Sequence, residues 1–230
     1  MDRNLGAPDV NNHGNSTGTV FFQFGRKDPF ACGTLFKPDG TTVSISNIAW
    51  DATTQESSKK GKNVPYSIQN PLNFIKNSAG LWTTGDQYCP ADGGDFLWQD
   101  PNAVSSVDGR VEKSIFDPCP SGWMVPMNGT WAEFKNSNMP WETTKAEGIG
   151  RYYYPDKTNY PQIYIYYPSS GTKQYDSGGI TEVNNYANSW TSSPNTSTAF
   201  VFHSRSNVVE STLTNSRAQG NPIRCIQEYF

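Results

Sequence analysis

Apolar residues in this chain come in short runs, broken every few positions by glycine, proline or asparagine. The clearest run is Tyr160 to Tyr167. There Ile163, Ile165 and Tyr167 fall on one side of an extended chain, and Tyr164 and Tyr166 on the other. A period of two carried by β-branched and aromatic side chains predicts a strand. Thr19 to Phe24 predicts another, and Thr41 to Ile48 a weaker strand or extended loop. Ser189 to Ser193 is read as a strand carrying Trp190. Thr198 to Ser204 sets Phe200 and Phe202 against Val201 and His203, and Val208 to Leu213 and Ile223 to Tyr229 complete an antiparallel set.

Helical spacing appears in few places. Thr130 to Asn136 places Trp131 and Phe134 on one face, with Met127 extending it, and predicts a short amphipathic helix. Leu72 to Lys76 has room for one helical turn, whereas Pro71 predicts extended chain from Tyr66 onward. Gly85 to Asp117 is cut by turn sequences, among them Asp92-Gly93-Gly94-Asp95 and Asp108-Gly109. Two short helices among many strands and long loops predict an α+β class. No segment repeats at a fixed period, which argues against solenoids and propellers.

Composition narrows the picture. The 230 residues show no break in composition, so one domain over residues 1–230 is expected. Twenty glycines and 16 prolines, with 12 Tyr, 12 Phe and 7 Trp, describe a loop-rich chain with an aromatic core. The net charge is −3 and no basic stripe is present, which removes a nucleic-acid partner. The cluster Lys59-Lys60-Gly61-Lys62 reads as a solvated loop. No apolar run approaches the ~20 residues that span a bilayer, and no signal peptide is visible at the start. Cys32, Cys89, Cys119 and Cys225 are widely spaced, with no C-x-x-C or Cys/His cluster to hold zinc. Three pairings are open, as is a fully reduced state.

The segment Asp117-Pro118-Cys119-Pro120-Ser121-Gly122-Trp123-Met124-Val125-Pro126 cannot be helical, because its prolines fix φ and push their predecessors toward extended geometry. It has a counterpart in Ile223-Arg224-Cys225-Ile226 near the end. With Met1 to Ala7, Phe22 to Phe30, Tyr166 to Gly171 and Ser189 to Ser193, these blocks resemble, in order, the Fibrobacter succinogenes major paralogous domain. That is a C-type-lectin-like module of Bacteroidetes surface and fimbrillin-type proteins. Met124 departs from it, where the family usually has a basic residue, and so do Asn128 to Trp131, in place of a short acidic helix start. The resemblance implies an irregular antiparallel sheet with adjacent first and last strands and long loops. It favours a Cys119–Cys225 bridge, leaving Cys32–Cys89. It also implies an exported protein, extracellular or at the outer membrane. Met1 matches a methionine inside the family motif, so the chain is expected to be a piece of a longer protein with an upstream segment.

Catalytic signals are sparse. His13 sits in a polar turn and His203 in mid-strand, with no G-x-S-x-G elbow and no phosphate-binding loop. Formylglycine-generating enzymes share the lectin-like scaffold but use a cysteine pair near the C-terminus, where this chain has Cys225 alone. Calcium is the one cofactor left open. Asp92 and Asp95, with Asp86 and Asp100, form the densest acidic loop, which more simply reads as solvated turns. Carbohydrate binding without metal needs an exposed aromatic face with polar neighbours. The candidates are Trp98, Trp141 and the run Tyr152-Tyr153-Tyr154, with Trp82 beside them. The excursion from Trp141 to Tyr160 lies where lectin-like folds place ligand loops. The expected role is therefore a non-enzymatic surface module that recognises a glycan or a host or bacterial surface protein. The alternatives are a structural domain packing against a neighbouring domain of the same protein, or a formylglycine-generating-type enzyme.

Overall fold

The computed structural model describes residues 1, 3–7, 20–31, 35–36, 39, 41–43, 46–49, 63–76, 96–100, 112–196 and 198–228. The largest sheet has the order β14 (Ile180–Thr181), β13 (Thr172–Lys173), β18 (Gly220–Asn221), β1 (Val20–Gln23), β2 (Phe30–Ala31). A second sheet joins β10 (Trp141–Glu142), β11 (Gly150–Tyr153) and β12 (Ile165–Pro168). A third, of long strands, joins β15 (Ala187–Asn195), β16 (Thr198–Arg205) and β17 (Val208–Ser216). Two-stranded pairs complete the set: β9 (Trp123–Met124) with β19 (Ile226–Gln227), β3 (Leu35–Phe36) with β4 (Thr42–Val43), and β7 (Gln99–Asp100) with β8 (Glu112–Lys113). The last pair, β5 (Ser46–Ala49) with β6 (Asn73–Lys76), is parallel.

The expected α+β, C-type-lectin-like architecture with two short helices is overturned. Among the described residues there is one helix, α1 (Asn63–Gln69), and the rest of the regular structure is strand. Both predicted helices fail for visible reasons. Residues 130–136 form consecutive tight turns, with Phe134 N–H bonded to Trp131 O at 3.0 Å and Ala132 N–H to Gly129 O at 3.0 Å. The Asn138 side chain accepts from Lys135 N–H at 2.8 Å and donates to Glu133 O at 3.0 Å, competing for groups a helix would need. Trp131 and Phe134 still share one apolar cluster, joined by Met139 rather than Met127. Residues 73–76 are a strand because both Phe74 and Ile75 are buried, in different clusters. The Gln23 side-chain amide donates to Ile75 O at 2.7 Å and accepts from Ile75 N–H at 3.2 Å, imitating a neighbouring strand. The helix forms where extended chain was expected. Pro65 occupies its first turn, where a missing N–H costs nothing, and Pro71 stops it rather than extending it.

The principal core gathers Phe22, Phe24, Trp98, Val125, Trp190, Val201, Ile223 and the half-cystines Cys119 and Cys225. Phe24 stands 5.0 Å from Trp98 and 5.9 Å from Trp190 between ring centroids. Both indole N–H groups find backbone carbonyls, Trp98 on Arg26 at 3.1 Å and Trp190 on Phe22 at 2.7 Å. After β1 the chain turns at Gly25 with φ +85°, where an added Cβ would lie 2.1 Å from Leu97 Cδ1. Only glycine fits that turn. The two ends of the chain meet: the Met1 ammonium donates to Cys225 O at 2.7 Å and Leu5 N–H to Ile223 O at 2.8 Å.

A loop-rich chain leaves many carbonyls outside any ladder. Buried cations collect them. Arg26 donates to Asn73 O at 2.7 Å and Pro71 O at 3.2 Å, Arg217 to Thr196 O at 2.8 Å and Thr198 O at 2.9 Å, and Arg224 to Tyr166 O at 2.7 Å. Arg151 ties Met139 O, Arg205 O, Val208 O and the Asn136 amide oxygen. Guanidinium groups suit this work because five fixed donors can serve several acceptors at once.

Candidate functional site

The disulfide predicted between Cys119 and Cys225 is present, with a Cα–Cα separation of 5.9 Å. The Cys225 sulfur is therefore committed to that bond. Cys32 and Cys89 lie outside the described residues, as do Asp92, Asp95, Asp86, Trp82, His13 and Lys59 to Lys62. Around the bridge, Lys113 donates to Cys119 O, Pro120 O and Trp123 O at 2.9–3.0 Å and stands 3.4 Å from a Glu228 carboxylate oxygen. Asp117 accepts from Cys119 N–H at 2.7 Å and Val125 N–H at 2.9 Å. Burial nonetheless pushes its carboxyl up to about 6, outweighing those donors and Lys113.

His203 is buried, and its Nδ1 meets Asn188 Oδ1 at 2.8 Å. Asn188 passes the contact to Asn221, which accepts from Thr172. Burial lowers the imidazole's basicity, opposed by Glu210 across the strand pair. This network satisfies an interior histidine with amides and a hydroxyl. Among the described residues no group of three or more His, Cys, Asp or Glu side chains could hold a metal ion. Likewise no helix there is long and apolar enough to cross a membrane.

The aromatic candidates separate by burial. Trp98 is 0% exposed and belongs to the principal core, so it offers no face to a ligand. Trp141 is half-buried with the Arg151 guanidinium 5.6 Å from its ring centroid. Tyr153 is half-buried, stacked on Phe134 at 4.3 Å, with its hydroxyl donating to Glu133 at 3.0 Å. Tyr152 and Tyr154 are buried with Tyr166, and Tyr164 packs against them. They lie beneath the loop of residues 143–149. Lys145 donates to the Tyr154 hydroxyl at 2.5 Å, Tyr152 to Gly148 O at 3.0 Å, Tyr166 to Ile149 O at 2.9 Å, and Tyr164 to Glu147.

The exposed aromatic of this region is Tyr160, placed by the sequence pattern on a strand. β12 begins only at Ile165, and residues 155–163 form the connection between β11 and β12. Asp156 organises it, accepting from Asn159 N–H at 3.0 Å and the Asn159 amide at 2.7 Å, while its own carbonyl takes Tyr160 N–H at 2.9 Å. Tyr160 is 53% exposed and Ile163 54%, with Lys157, Asn159 and Gln162 exposed beside them. The available signal was a single aromatic bracketed by Pro155 and Pro161 in a polar run, which ends a ladder rather than extending it. No family model, curated protein or solved structure matches the chain.

Proposed function

We propose that the chain is a non-enzymatic recognition module of a bacterial cell surface, binding a glycan through the tip of residues 155–163. The observation that carries this reading is Tyr160, an exposed ring on a tip held by its own Asp156 hydrogen bonds. A pyranose would stack on that ring and bond to Asn159, Gln162 and Lys157. The ordered resemblance to exported Bacteroidetes modules supports the setting, and the Cys119–Cys225 bridge suits an oxidising compartment. A glycan array probed with the whole chain and with Tyr160→Ala tests it. Binding to a defined glycan class, lost in the variant, supports the reading. Binding unchanged in Tyr160→Ala, or turnover of a substrate with no glycan bound, defeats it.

A second reading, a packing domain beside another domain of the same protein, has its own motivation. Ile115 is 79% exposed and Ile68 55%. Both flank the turn at Arg26–Lys27, which bonds Ser67 O and Ile115 O. Self-association that a neighbouring domain suppresses would favour it.

A further inference from the structure

The ammonium of Lys145 stands 4.1 Å from the ring centroid of Tyr164, 4.5 Å from Tyr152 and 5.2 Å from Tyr154. One cation thus meets the faces of two rings and the hydroxyl of a third. Glu147, on the same strap as Lys145, accepts the Tyr164 hydroxyl. Two electron-rich faces, Tyr152 and Tyr164, with the Tyr154 hydroxyl as a hydrogen-bond acceptor suit an ammonium group. Tyr154 turns its hydroxyl to the ammonium, whereas the other hydroxyls bond elsewhere: Tyr152 to Gly148 O, Tyr166 to Ile149 O and Tyr164 to Glu147. They stay protonated at neutral pH. The hydrogen bond to Glu147 pushes Tyr164 up to about 12, and burial raises Tyr152 and Tyr166.

The chain fills this cage with its own side chain. The strap that delivers Lys145, residues 143–149, has Gly148 N–H on Lys145 O at 3.1 Å as an internal turn. It is tied to the tyrosines by the side-chain hydrogen bonds of Lys145, Tyr152, Tyr164 and Tyr166, and to the chain just after β12 by Ser169 N–H on Ile149 O at 3.0 Å. Thr143, Thr144 and Ala146 face solvent. Segments held by few bonds to the body of a fold open at lower cost than its core. An occupant that reproduces the Lys145 contacts would therefore compete with the strap rather than with the core.

The geometry points to a second binding site: the Tyr152 and Tyr164 rings with the Tyr154 hydroxyl form an ammonium-recognition cage, self-occupied by Lys145 when the strap that also carries Glu147 is closed. Its ligand class is a primary or methylated ammonium, as carried by an amino sugar or a lysine side chain. This site does not include Tyr160 and does not depend on the glycan reading, although Lys157 of the tip stands 4.9 Å from the ring centroid of Tyr154. Because Lys145 is tethered, it competes at millimolar or higher effective concentration, and a free ammonium binds the intact chain weakly.

The experiment is an NMR titration of tyrosine-labelled whole chain with methylammonium chloride against sodium chloride at matched ionic strength. Lys145→Ala is expected to bind methylammonium at least tenfold more tightly than the unaltered chain, with shifts concentrated at Tyr152, Tyr154 and Tyr164. A folded Lys145→Ala with no ammonium-specific shift at those rings overturns the proposal and leaves Lys145 as a structural pin. Should that variant not fold, amide exchange of residues 143–149 in the unaltered chain decides. Acceleration by methylammonium beyond that by sodium supports the cage, and equal exchange rates overturn it.

Discussion

Cys119 and Cys225, 106 residues apart in sequence, are covalently joined at the centre of the principal core. The bond ties the proline-framed turn before β9 to the segment before β19, and these two short strands pair directly beyond it. Two residues per strand make a weak ladder, so the covalent tie carries much of the closure. In the chain-entropy model a loop of this length is worth up to ~5 kcal/mol. Replacing both cysteines by alanine is expected to lower stability by about 4 kcal/mol in urea unfolding. Because Cys225 is fully buried and Cys119 nearly so, reductant alone should not open the bridge without denaturant.

Asp117 gives the same region a pH dependence of definite sign. Its folded-state value, about 6, lies above the ordinary 3.8. The folded chain therefore holds this proton more tightly than the unfolded chain. The resulting stability is fully present below pH 3.8 and is lost as pH rises through about 6, a span of about 3 kcal/mol. His203 acts oppositely: its folded value is lowered, so its contribution is present above 6.5 and lost as pH falls through the folded value. Urea unfolding of the unaltered chain and of Asp117→Asn at several pH values separates them. The stability of the unaltered chain relative to Asp117→Asn should fall by about 2 kcal/mol between pH 4 and pH 7.

Arg151 joins three parts of the fold that share no strand pairing with one another: the turn at Asn136–Met139, β11, and the β16–β17 connection. Lysine has three donors on one flexible point and cannot reproduce the fork. Arg151→Lys should cost about 1–3 kcal/mol and Arg151→Met about 3–5 kcal/mol, since buried carbonyls lose their donors. Arg205, which is exposed, is the matched control, and Arg205→Lys should stay within about 0.5 kcal/mol.

What the sequence disclosed follows from the range of the forces involved. Strands at Val20–Gln23, Thr198–Arg205 and Val208–Ser216 were legible because their patterns are local and repeated. The alternation of Tyr164 to Tyr167 also held, since Ile165 and Tyr167 pack in one cluster and Tyr164 and Tyr166 in another. The Cys119–Cys225 pairing came from the resemblance, not from spacing. The helix at Thr130 to Asn136 failed because Asn138, outside the segment, takes its hydrogen bonds. The strand at Asn73–Lys76 was missed because Gln23, some 50 positions earlier, supplies its partner groups. Nor could any local pattern reveal the burial of Tyr152 and Tyr154. They pack with Tyr166 and Tyr164 and bond to Lys145 and Gly148 of the β10–β11 connection, contacts set by the tertiary fold.

Trp98 and Tyr160 make the sharpest test of how the aromatic residues divide between core and ligand. Trp98 is fully buried, touches Phe24, and donates its indole N–H to Arg26 O. Trp98→Ala should remove about 3–5 kcal/mol through cavity formation and a carbonyl left without its donor. Any loss of binding it causes should track the loss of folded chain and vanish once corrected for it. Tyr160 is half exposed, and its backbone, not its hydroxyl, holds the tip together. Tyr160→Ala should change stability by no more than about 0.5 kcal/mol in urea unfolding. On the recognition reading it should nevertheless abolish glycan binding, while Tyr160→Phe and Tyr160→Trp retain it because stacking needs the ring face. A Tyr160→Ala variant that unfolds early would instead make Tyr160 a packing residue, leaving the tip without its platform.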